Sequence, residues 1–208
     1  MHYELDDFDL EAIDRAHRDG GDPWCSKHIE RLKRRIKNHC RVELGEVCCY
    51  CVRNTFGEHN YVLHVEHVLP RSHADFSQYI FEPRNLSVSC FRCNAGIKKA
   101  DISFLTRLED AQRRPFESET YKFIHPNLDV YFDHLSYEAT FRNASRYIKY
   151  FVVNRSTKGE FTYSYFKLDE LETDSYSNGQ GAAKNVALST NIPADIVNEI
   201  ERITALPL

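Results

Sequence analysis

The sequence has no apolar run near the ~20 residues that a membrane-spanning helix needs, and no internal repeat or low-complexity tract. A helical membrane protein or a solenoid is therefore not expected. The basic start of a secretory signal is missing too, since Met1-His2-Tyr3-Glu4-Leu5-Asp6-Asp7 is acidic. Seven cysteines, an odd number, make a reducing cytoplasm the expected setting. Positive charge is also short: 27 basic side chains stand against 31 acidic ones, a formal net charge of -4. That balance argues against a broadly basic nucleic-acid coat. The distribution is uneven, however, because residues 23–114 hold sixteen basic and ten acidic side chains, while 1–22 and 115–208 are acidic. A phosphate-binding face would have to lie in the middle segment.

What is present is a globular composition, 42% apolar and 28% charged over 208 residues, enough for one domain with additions or two small domains. Four cysteines form two Cys-x-x-Cys pairs, Cys48/Cys51 and Cys90/Cys93. Buried reduced thiols would be the plain reading, but matched pairs far apart in sequence are how a chain closes a tetrahedral zinc site. Four thiolates leave no open position for water, so this Zn²⁺ is expected to be structural. Cys25, Cys40 and Cys49 are read as buried or inert.

The loop that such a zinc closes carries chemistry. His67 is a general-base candidate, Glu66 beside it is a hard-metal ligand candidate, and Asn94 follows the second pair as a neutral amide ligand. Arg71, Lys98 and Lys99 are phosphate candidates, with ordinary solvated charge as the alternative. His64 is read either as an accessory contact or as a strand-surface histidine.

Glu66-His67-Val68-Leu69-Pro70, then Asn85-Leu86, then Cys90-Phe91-Arg92-Cys93-Asn94 and Lys98-Lys99 together resemble the HNH endonuclease family, over about a quarter of the chain. The resemblance implies a ββα-metal core that hydrolyses phosphodiester bonds in DNA. It makes His67 the base that activates water, Glu66 and Asn94 the ligands of a catalytic Mg²⁺ or Mn²⁺, and Asn85 the residue that holds the histidine or its loop in place. Two positions depart from the family pattern: Glu stands where Asp is common, and Asn94 where the family name has His. A shorter stretch, Phe123-Ile124-His125-Pro126-Asn127-Leu128-Asp129 with His134-Leu135, is similar to a segment of HNH proteins in bacterial antiviral systems, Septu and retron-linked ones among them. That similarity implies antiphage defence and an ATPase or sensor protein as partner. His125 and Asp129 are read as turn and core residues before site residues. The competing reading is an inactive zinc-stapled module that binds nucleic acid or protein.

An α+β fold is expected in three segments: N-terminal helices over 1–44, the zinc-knuckle core over 45–114 and an accessory region over 115–208. Helical spacing predicts a helix over 9–19 and a longer one from Pro23 with Trp24, Ile29, Leu32, Ile36 and Cys40 inward. Alternation predicts strands over 61–67 and 86–89, with a helix from Cys93 to about Lys99 that sets Asn94 and Lys98 on one face. Further on, Tyr147–Val153 and Glu160–Leu168 read as a hairpin, 174–181 as a flexible connection and 193–206 as a helix. The last would dock a partner, a second copy or its own domain.

Overall fold

The computed structural model describes residues 3–59, 61–142 and 145–173. The fold is α+β, with helices around two small antiparallel sheets. Helix α1 spans Asp7–Arg18 and begins on a reciprocal cap: the Asp6 carboxylate accepts from the Asp9 amide at 2.8 Å, and the Asp9 carboxylate accepts from the Asp6 amide at 3.2 Å. That cap starts the helix ahead of its first apolar residue.

The helix predicted from Pro23 is broken. Two 3₁₀ turns, Pro23–Cys25 and Lys27–Ile29, precede α2, which spans Glu30–Glu43. The Asp22 side chain caps the first turn and the Ser26 side chain the second, and the extended backbone of Ser26 interrupts the helix between them. Ile29, Leu32, Ile36 and Cys40 are buried as the spacing predicts, whereas Trp24 is only half-buried.

Strands β1 (Leu63–His67) and β2 (Leu86–Cys90) pair antiparallel, with Leu63 opposite Cys90 and His67 opposite Leu86. Helix α2 packs on this hairpin, and β2 is buried along its whole length. A π-helix over Arg92–Lys98 follows, closed by a 2.7 Å bond from the Lys99 amide to the Asn94 carbonyl. Short helix α3 (Leu108–Arg113) comes next. The aromatic rings of Phe104, Tyr121, Phe123 and Phe166 then build a second core beside the first cysteine pair, where Tyr50 stacks on Phe166 at 4.2 Å.

The hairpin expected from 147–153 and 160–168 is not there. Strand β4 (Ser145–Val152) pairs with the strand before it, β3 (Leu135–Arg142), and Thr157–Tyr165 is helix α4. Asn154 and Arg155 take left-handed φ of 49° and 56°, ending β4, and the Ser156 hydroxyl caps α4 by accepting from the Gly159 amide. Phe161, Tyr163 and Tyr165 alternate along the sequence as strand residues would, yet Phe161 and Tyr165 stack as helical neighbours at 5.5 Å.

The chain divides into two compact units, Met1–Tyr137 with Tyr150–Leu171, and Glu138–Lys149 with Glu172–Leu208. The first holds the N-terminal helices, the β1–β2 hairpin and the cysteines. In the second, Ile148 and Thr173 exchange backbone hydrogen bonds of 3.1 Å, and Lys149 pairs with Glu172 at 3.1 Å. The connection read at 174–181 and the helix read at 193–206 lie outside the described residues.

Candidate functional site

The two cysteine pairs meet. The Sγ atoms of Cys48, Cys51, Cys90 and Cys93 all lie within 4.8 Å of one another, and all four residues are buried. Cys51 Sγ and Cys90 Sγ are 3.8 Å apart, the edge of a tetrahedron whose corners sit ~2.3 Å from its centre. The cluster could hold a structural metal such as zinc. Each pair is shaped for that role. Around Cys48 and Cys51 the chain turns back, with the Val52 amide donating to the Cys48 carbonyl at 2.9 Å. Val52 sits at a φ of 54°, a conformation that a β-branched residue adopts only under constraint. From the other pair, the Cys90 amide donates to Cys48 Sγ at 3.2 Å.

Burial opposes charge on Cys48, but hydrogen bonds from Cys49, Cys51, Cys90 and Cys93 outweigh it and hold this thiol well below its ordinary pKa. Cys90 shifts the same way, while Cys51 and Cys93 shift upward, because the four neighbouring thiols compete for the same protons. Two hydroxyls from distant segments secure the first pair's backbone, Tyr131 on the Tyr50 carbonyl at 3.1 Å and Tyr150 on the Cys51 carbonyl. Arg92, beside Cys93, donates to the carbonyls of Phe166 and Lys167 at 2.7 Å each, tying the second pair to the end of α4.

Beside this cluster a cleft of about 940 Å³ opens, lined among others by Trp24, His64, His67, Arg71, Asn94 and Lys99. Most of the sequence-predicted polar residues thus share one cavity. His67 is half-buried, with Trp24 edge-on at 4.4 Å between ring centroids. Its Nε2 lies 3.0 Å from the Ile80 carbonyl. Because a carbonyl only accepts, Nε2 carries the hydrogen, and Nδ1 is left as a lone-pair acceptor with no partner among the described residues. Burial first, and the Lys98 charge second, lower the His67 pKa to about 4, against the help of the Ile80 bond.

Asn85 is fully buried and acts on the loop. Its Oδ1 accepts from the Leu69 amide at 2.7 Å, and its Nδ2 donates to the carbonyls of Leu69 and Tyr79 at 3.2 and 3.0 Å. It thereby fixes both ends of the segment that presents Ile80 to His67.

Glu66 lines the cleft but is 1% exposed. Its Oε1 takes the Lys98 ammonium at 2.9 Å and the Tyr50 hydroxyl at 3.2 Å, and its Oε2 takes the Ser89 hydroxyl at 3.1 Å. Burial and the Glu66 charge push the Tyr50 hydroxyl well above its ordinary pKa. Lys98 therefore does not lie where a phosphate contact would. It is 1% exposed, and its ammonium also donates to the His67 carbonyl at 2.9 Å. A buried carboxylate on β1 needs a compensating cation, and Lys98 from the π-helix supplies it. Of the other expected phosphate contacts, Lys99 is exposed at the helix end, Arg71 pairs with Asp22 at the rim, and His64 is exposed beside Phe91.

Two side-chain oxygens that line the cleft are short of partners among the described residues. Asn94 Nδ2 faces the Val65 carbonyl at 3.4 Å, so Oδ1 points elsewhere and makes no hydrogen bond among the described residues. Glu66 has about four lone-pair sites and three donors, leaving one.

Sequence reasoning missed Trp24 and the Ile80 carbonyl. Trp24 sits at the helical spacing of a core residue, and a backbone carbonyl leaves no sequence signal. His125 and Asp129 lie away from the cleft: the Asp129 carboxylate accepts from the His125 amide at 2.7 Å and from Lys158 at 2.6 Å, a turn role. Compared with protein-family models, with curated proteins and with solved structures, the chain matches none.

Proposed function

We propose that the chain is a metal-dependent endonuclease of the HNH type that hydrolyses phosphodiester bonds in DNA. The observation that carries this reading is His67, fixed by the Ile80 carbonyl with Nδ1 as acceptor, in one cleft with the Asn94 oxygen that has no partner among the described residues. Neutral His67 takes a proton from water through Nδ1, and the resulting hydroxide attacks phosphorus in line with the leaving 3′-oxygen. The Nε2–H goes on donating to the Ile80 carbonyl, so the ring keeps its orientation as it gains charge. Mg²⁺ or Mn²⁺, held by Asn94 Oδ1 and the remaining lone pair of Glu66, would neutralise charge developing on the phosphate. Lys98 holds Glu66 and the His67 backbone together, and Arg71, Lys99 and His64 bind flanking phosphates at the rim.

The test is cleavage of single- and double-stranded DNA and of RNA with Mg²⁺ or Mn²⁺, by the native chain and by His67→Ala. Cleavage by the native chain, lost in His67→Ala at unchanged zinc content, is expected. Equal cleavage by both removes His67 from its role. The second reading, an inactive zinc-stapled binding module, is favoured by the neutralisation of Glu66 by Lys98, and it predicts binding with no cleavage under any divalent ion. The similarity over 123–135 adds antiphage defence as the setting and an ATPase or sensor protein as partner. Recovery of the chain from its host alone, without a larger protein, contradicts that partner.

A further inference from the structure

The cleft continues sideways. A shallower depression of about 300 Å³ adjoins it, and Trp24, His64 and Val65 line both. Helix α2 meets this depression with Lys33, Arg34 and Lys37, and the turn before β1 meets it with Tyr61. These cations lie on a different face of α2 from Arg31 and Arg35, whose guanidinium groups are spent on Asp6 and Asp9 of α1. Lys33 bonds Glu30 at 2.9 Å and also lies over the Trp24 ring at 5.7 Å. Arg34 is exposed and makes no ion pair among the described residues. Tyr61 is 83% exposed, and the only ring contact it makes among the described residues is with His59 at 4.9 Å. A ring so exposed adds little to the fold.

We propose that this depression is the entry track for an unpaired polynucleotide strand, whose phosphates follow Lys33, Arg34 and Lys37 while a base stacks on Tyr61. The strand then passes Trp24 and His64 into the cleft. Its destination rests on the nuclease reading, but its binding does not. Two observations select a single strand over a duplex. Bases inside a duplex are already stacked and offer only their edges, so an exposed tyrosine ring can stack only a base that has left its partner. The cations are also few and local, while the segments before 23 and after 114 are acidic, which disfavours the many phosphate contacts of a long duplex.

The test is fluorescence anisotropy on the full chain without added divalent ion, using labelled strands of about 20 nucleotides in DNA and in RNA and the matching blunt DNA duplex. A strand of either sugar should bind roughly tenfold tighter than the duplex, and the DNA and RNA arms identify which sugar is taken. Tyr61→Ala and Arg34→Glu should each weaken strand binding about tenfold, with zinc content and circular dichroism unchanged because both side chains are exposed. Duplex binding at equal strength, no binding, or native affinity in both variants overturns the proposal. Equal competition by a poly-glutamate peptide overturns it in favour of an acidic protein partner. Strand binding that Tyr61→Ala abolishes, with no cleavage in Mg²⁺ or Mn²⁺, keeps the track and sinks the nuclease. Cleavage of single and double strands alike, untouched by Tyr61→Ala, does the reverse.

Discussion

Glu66 and Lys98 face each other at 2.9 Å with 2% of each side chain exposed, so neither charge can be removed alone without stranding the other. Lys98→Met should lower the unfolding free energy by ~3–5 kcal/mol in urea titrations, because an unpaired buried carboxylate remains. Adding Glu66→Gln should recover most of that loss, and a double variant as unstable as the single one would contradict the pairing. His67 carries a second prediction at this scale. Its pKa falls from 6.5 to about 4, so the neutral form persists far below the ordinary histidine range. In the proposed reaction the neutral ring is the active one, and kcat/KM should stay level as pH drops from about 7 to about 5. A loss of activity centred on the usual histidine value would show that burial does not tune this base.

At the scale of elements, the hairpin and α2 were legible because period and burial agree: Ile29, Leu32, Ile36 and Cys40 mark one helix face, and β1 and β2 fall within a residue or two of their expected bounds. Helix α4 was not legible. Phe161, Tyr163 and Tyr165 imitate a strand, and what decides for helix is the Ser156 cap together with a docking contact no pattern announces. The same limit explains Lys98, which reads as a phosphate contact because nothing in its spacing announces the buried Glu66 carboxylate that it neutralises. The docking contact is at Gly159, where a Cβ would lie 2.3 Å from the His134 carbonyl oxygen. Gly159→Ala should therefore cost about 1–3 kcal/mol, although alanine is the better helix former. A thermal melt no lower than native would mean that α4 does not press so closely on His134.

For the molecule as a whole, the four-sulfur cluster joins the turn that follows α2 to the end of β2. The π-helix that carries Asn94 and Lys98 starts from that junction, as do the contacts that reach α4. The site was readable in sequence to that extent: cysteine spacing identified the staple, while the partners of Glu66 and His67 come from segments that only folding brings near. Cys90→Ser should lose both metal and most secondary structure, read by elemental analysis and circular dichroism. The central claim is that four thiolates hold one structural metal at the start of the π-helix that carries Asn94, and zinc K-edge absorption on the purified full chain tests it most directly. One zinc per chain with four sulfur neighbours at ~2.3 Å is the expected result. Nitrogen or oxygen in that shell, or a folded chain that holds no metal, would contradict it.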